Sequence, residues 1–126
     1  MVMEILPISY NFTVCKVADA SVLPLNDEFC FIGKTDEELS LVCLTDSAPQ
    51  HCIAREDGWR AFRIQGTLEF SLVGILSRIS ALLAEANIGI FAVSTYNTDY
   101  VLTKSENFAR ALDVLSGAGY TVLQEV

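Results

Sequence analysis

Apolar residues at positions 72, 75, 76, 79, 82, 83 and 86 recur at the spacing of one helical face. The pattern predicts a helix opened by Ser71, an N-cap residue type, and closed at Asn87, which tolerates a left-handed backbone. Before it, Trp59–Gln65 (WRAFRIQ) reads as a strand behind the turn pair Asp57-Gly58, and Gly66–Phe70 as a short loop. After it, GIFAVST (residues 89–95) is a strand, Tyr96–Asp99 a turn, and Tyr100–Lys104 a returning strand. Ser105 then caps a second helix with Phe108, Ala111, Leu112 and Leu115 on its buried face. Gly117 and Gly119 stop that helix, and residues 121–126 close with a strand. Strand–helix–strand–strand–helix–strand is a split βαβ repeat. It implies an α+β, ferredoxin-like fold, a four-stranded antiparallel sheet with both helices on one face.

The first half is less regular. Ser9–Val17 alternates as a strand, with Tyr10, Phe12 and Val14 on one side. Residues 18–27 contain Pro24 and allow only a short helix. Residues 28–34 and 38–45 read as two strands joined by Thr35-Asp-Glu, and 47–56 as one or two helical turns interrupted by Pro49. The order copies the second half without its long first helix. The division is therefore an abbreviated repeat over residues 1–58 and a complete one over 59–126.

Composition narrows the function. The 126 residues are 52% hydrophobic and 19% charged, which excludes disorder. The net charge of −8 is the wrong sign for phosphate contacts, so no nucleic-acid partner is expected. The acidity is concentrated in residues 1–58, which hold ten acids against three bases. No apolar run approaches the ~18 residues of a membrane helix, and Glu4 and Pro7 interrupt any leader pattern. A cytoplasmic protein with no membrane partner is expected, its four cysteines (15, 30, 43, 52) reduced and mostly buried.

Candidate chemistry is sparse. His51-Cys52 and Cys43 lack paired metal-ligand spacing, so no metal is expected. One histidine cannot furnish a serine or cysteine nucleophile with a facing base. Asp36-Glu37-Glu38 reads as a solvated turn, and no phosphate-binding glycine motif is present. The residues argue against an enzyme and against a cofactor. Two features remain. Gly74, near the start of the first long helix, either lets a ligand reach the helix N–H groups or lets the helix pack on the sheet. Asp99, after a polar hairpin, either bonds its own backbone or faces a ligand cation.

The stretch FSLVGILSRISALLAEANIGIFAVSTYNTDYVLT (residues 70–103) resembles the ACT-domain family. It is most similar to the tandem-ACT branch, which holds small bacterial proteins of this length and the eukaryotic cytosolic arginine sensors. TDEELSLV (residues 35–42) and Trp59 extend the resemblance over the chain. It implies two ACT-like repeats and an amino-acid ligand held between paired domains. By that likeness one repeat supplies Gly74, Ile75, Thr95 and Asp99, and its neighbour supplies Gly89 and Ile90. A homodimer with C-terminal repeats paired is implied, acting on a protein client, with a ligand-free structural dimer as the alternative. The sensors carry a serine at the position of Gly89, so arginine specificity does not transfer.

Overall fold

The computed structural model describes residues 3–65 and 72–126. The expected loop at 66–70 and the Ser71 cap lie outside the described residues. Seven strands and two helices follow in the order β1 (Glu4–Val17), β2 (Cys30–Lys34), β3 (Leu39–Leu44), β4 (Ala54–Gln65), α1 (Leu72–Glu85), β5 (Ile90–Ser94), β6 (Asp99–Lys104), α2 (Ser105–Gly117) and β7 (Thr121–Val122). The α+β, ferredoxin-like expectation holds. The chain packs as two compact units, Tyr10–Trp59 and, separately, the residues up to Ser9 with Arg60–Val126. Strands β1 and β4 each contribute to both.

In the unit containing the helices, the strand order is β7-β1-β4-β6-β5. Strands β5 and β6 pair antiparallel, from Ile90↔Thr103 to Ser94↔Asp99. The expected four-stranded sheet is corrected in one respect. The first half of β1 lies between β4 and β7, and β7 pairs parallel with it through Glu4↔Thr121 and Ile5↔Val122. The cause is burial, since Ile5 and Ile8 are completely enclosed and Leu6 nearly so. Pro7 lacks an N–H to donate to the ladder. Its carbonyl nevertheless accepts from Val126 N at 3.1 Å, and Ser9 N donates to Val126 O at 2.8 Å. Arg60 bonds Ile8 O (3.1 Å) and Glu125, and its guanidinium lies 4.5 Å from the centre of the Phe108 ring.

The core of this unit joins Phe62 and Ile64 of β4, Ile79 and Leu83 of α1, Val101 of β6, and Phe108, Ala111 and Leu115 of α2. These are the apolar positions of the predicted helical faces. Both helices close in the same way. Asn87 (φ 60°) and Gly119 (φ 101°) take the left-handed conformation. Ile88 N then reaches Leu83 O at 2.9 Å, and Tyr120 N reaches Leu115 O at 3.1 Å. Ser105 is not the cap of α2; it is the first helical residue, and the cap position, Lys104, makes no side-chain cap bond. Gly119→Ala should cost about 1 kcal/mol, because alanine resists positive φ. Chemical denaturation would read this as a lower midpoint at unchanged slope.

The Tyr10–Trp59 unit has strand order β2-β3-β1-β4, with antiparallel registers from Cys30↔Cys43 to Lys34↔Leu39 and from Phe12↔Leu44 to Val17↔Leu39. Cys15, Val17, Leu41 and Cys43 form its core, flanked by Leu23, Cys30, Leu39, Ala48 and Cys52. All four cysteines are free thiols. No α-helix covers this core among the described residues. The short helix allowed at 18–27 is the 3₁₀ turn Ala20–Val22, whereas the helical turns expected at 47–56 are corrected: a single 3₁₀ turn spans Thr45–Ser47, and β4 already begins at Ala54. The expected turn at Asp57-Gly58 is corrected, because β4 runs from Ala54 straight through Gly58, which absorbs a φ of 88°. A buried hydroxyl holds it in the sheet. Thr13 donates to Asp57 Oδ1 at 2.7 Å, and Arg55 Nε donates to the same oxygen at 2.9 Å.

Candidate functional site

Gly74 and Ile75 stand in the first turn of α1, whose free N–H groups make an electropositive end. A Cβ built on Gly74 would meet nothing within 4 Å among the described residues.

The turn between β5 and β6 closes on itself. Thr95 N donates to Thr98 O at 2.8 Å, and the Thr95 hydroxyl donates to the same carbonyl at 2.9 Å. The Thr98 hydroxyl donates to Ile64 O at 2.6 Å, tying the turn to the C-terminal end of β4. Thr98 is a positioning residue that sequence reasoning missed. Its signal was a hydroxyl directly before the singled-out aspartate in a polar turn.

Asp99 opens β6 and is 3% exposed. Its carboxylate makes no hydrogen bond or ion pair within the described residues. The self-bonded turn aspartate is thus not what is observed; Thr95 fills that role instead.

Gly89 and Ile90 sit elsewhere. Ile90 pairs with Thr103, four residues along the ladder from the Ser94↔Asp99 pair, about 13 Å away in one copy of the chain. Thr95 and Asp99 therefore stand at the turn end of the β5–β6 hairpin, and Gly89 and Ile90 at the other. A Cβ on Gly89 would also meet nothing within 4 Å. Strand β5 ends the strand order, and no strand among the described residues pairs with its outer edge.

No group of three histidine, cysteine, aspartate or glutamate side chains is placed to hold a metal ion among the described residues. No described helix is long and apolar enough to cross a membrane.

Comparison with known proteins follows this division of the chain. A family model described as the ACT domain matches residues 54–117, and a second model, described only as an N-terminal domain, matches residues 10–51. No curated protein sequence matches significantly. Among solved structures, a protein from Agrobacterium tumefaciens is 30% identical with a TM-score of 0.86, covering 98% of this chain and 93% of its own. A protein of unknown function from Vibrio cholerae is 23% identical (TM-score 0.71, 91% and 88% covered). The aspartate kinase of Clostridium acetobutylicum, an allosteric enzyme, matches at 16% identity and TM-score 0.69, over 93% of this chain and 34% of that one.

Proposed function

This chain belongs to the ACT-domain family, and from that membership we propose that it is a regulatory protein, not an enzyme, that senses a small molecule, an amino acid. The observation that carries the reading is Asp99, 3% exposed at the start of β6, directly after the turn fixed by Thr95 and Thr98. In this reading the ligand carboxylate meets the N–H groups near Gly74 and Ile75. Its ammonium meets Asp99, beside the turn fixed by Thr95. Gly89 and Ile90 come from a second copy, because one copy holds them about 13 Å from Asp99. Ligand binding then favours the paired state by linkage. Residues 1–58 act as an abbreviated ACT-like repeat and 59–126 as a complete one, as in the tandem-ACT branch. A cytoplasmic setting suits the four free thiols, and the regulated client is a separate protein.

The test is a thermal-shift screen against the twenty amino acids. Ligand at ~100 times its dissociation constant adds about 2.7 kcal/mol, a shift of several degrees. Asp99→Ala should weaken the responding amino acid at least tenfold, about 1.4 kcal/mol. Gly74→Ala separates fold from function. Alanine favours a helix by up to about 1 kcal/mol, so this variant should be at least as stable as the parent yet bind the amino acid more weakly. Full affinity in both variants would remove Asp99 and Gly74 from the site.

The position of β5 at the end of the strand order, with no further strand paired to it among the described residues, favours a second reading, a pairing module that binds no ligand. Sedimentation distinguishes the two: a dimer whose stability no amino acid changes would be the ligand-free module.

A further inference from the structure

All four cysteines of the chain fall within the Tyr10–Trp59 unit and pack in its core. Residues directly opposed in an antiparallel ladder share a face, as do residues two apart along a strand. Cys43 opposes Cys30 on β2 and Thr13 on β1, and Cys15 lies two residues beyond Thr13. Cys15, Cys30 and Cys43 therefore lie on the same face of the sheet. Cys52 reaches that cluster from the loop between the Thr45–Ser47 turn and β4. Ile53 N donates to Lys16 O at 2.8 Å, which holds the loop against β1. The Cys15 thiol is in side-chain hydrogen-bond contact with Cys52 and with Cys43.

The four thiols are not equivalent. Cys15 and Cys43 are 3% and 0% exposed, whereas Cys30 and Cys52 are half-buried and open to a small solute. Those two stand beside opposite charges. Cys30 has the Asp27 carboxylate nearby, which together with burial raises its pKa and opposes thiolate formation. Cys52 has the Arg55 guanidinium within electrostatic range, an environment that favours a thiolate. Burial, and then the Cys52 contact, push Cys15 up to about 11, so it keeps its proton at neutral pH. Cys30 and Cys43 are fixed in the ladder of β2 and β3, whereas Cys52 lies outside the strands. Its backbone is the one that can adjust to the narrow geometry of a disulfide.

We propose that Cys52 and Cys15 form an oxidation site, at which hydrogen peroxide converts the pair into a disulfide. The Cys52 thiolate sulfur bonds to a peroxide oxygen as the O–O bond breaks, giving a sulfenic acid and hydroxide, which takes up a proton as water. The Cys15 sulfur then bonds to the Cys52 sulfur, the S–O bond breaks, and the hydroxyl leaves with the Cys15 proton as a second water. Two thiols give up two electrons and the peroxide takes them. A small thiol reverses the step by exchange. The site takes no part in the amino-acid reading, since neither cysteine touches Asp99 or α1 and each belongs to the other unit.

The experiment treats the reduced, purified chain with hydrogen peroxide, alkylates the remaining thiols, and maps the cysteines by mass spectrometry without reduction. Free thiols should fall from four to two per chain, with one cross-linked peptide joining Cys15 to Cys52. Dithiothreitol should restore all four. Cys52→Ser, at a half-buried loop position, should keep its three thiols, with circular dichroism to confirm the fold. Cys30→Ser should still form the bridge. In Cys15→Ala the sulfenic acid at Cys52 should persist and be trapped by dimedone, an adduct absent from the parent. The proposal is overturned by survival of all four thiols, by a bridge between Cys30 and Cys43, by disulfides between chains, or by sulfinic acid at Cys52 without a bridge.

Discussion

Replacing Phe62 by alanine is expected to destabilise the protein by about 3–5 kcal/mol, the largest effect of any single change argued from this structure. Phe62 is completely enclosed and its ring lies 6.4 Å from that of Phe108, so truncation removes both ring burial and an aromatic contact. Strand β4 and helix α2 would face each other across a void that neither backbone can close. Against a typical total of about 5–15 kcal/mol, the loss puts the fold near its limit. The melting temperature should fall by roughly 10–20 °C. Ile32→Ser, at an exposed position on β2, should change stability by less than about 0.5 kcal/mol. A Phe62→Ala melting curve close to that of the parent would mean that the core is not centred on this residue.

Alkaline pH is expected to remove stability through the buried thiols. Burial first, and then the neighbouring Cys52 thiol, pushes Cys15 up from 9.0 to about 11. Burial, with Cys15 and Cys30 nearby, pushes Cys43 up to about 12. A thiol with a raised pKa in the folded state keeps its proton after the unfolded chain has lost its own. Its contribution is therefore complete below pH 9 and declines as pH rises towards 11–12. At about 1.4 kcal/mol per pH unit, each thiol accounts for a loss on the order of 3 kcal/mol across that window. Urea midpoints at pH 8, 9, 10 and 11 would follow it. Tyrosine and lysine also titrate there, so the comparison is with Cys43→Ala, whose midpoints should fall less steeply. Parallel curves for the two proteins would show that Cys43 does not govern the alkaline limit.

Much of the unit with the helices was legible in the sequence because its signals are local. Helical periodicity at 75, 76, 79, 82, 83 and 86 depends only on 3.6 residues per turn. Asn87 and Gly119 mark the helix ends by backbone conformations that few residues accept. The N-terminal unit gave weaker signals because its core is covered by single 3₁₀ turns, too short to repeat a pattern. Asp57-Gly58 has the composition of a turn, yet it lies within β4 because Thr13, forty-four residues away, holds Asp57 in the sheet. Of the candidate site, the sequence identified Gly74 and Asp99 as unusual without deciding between two roles for either, and Thr95 entered only through the family resemblance. Burial of Asp99 bears on its role, and it depends on neighbours remote in sequence.

By itself the sequence determined the order of strands and helices, the helical faces and the turns of the β5–β6 hairpin, because periodicity and turn chemistry act over a few residues. It also determined the excess of acid and the lack of paired metal-ligand spacing, which composition and spacing carry directly. Only the tertiary structure decided that the first half of β1 lies between β4 and β7. Only it separated Gly89 and Ile90 from Asp99 by most of a strand, and brought Cys15 and Cys52 into contact. Each of these rests on strand pairing or burial between distant segments, and their free energy comes from the whole assembled sheet, not from a local window of residues.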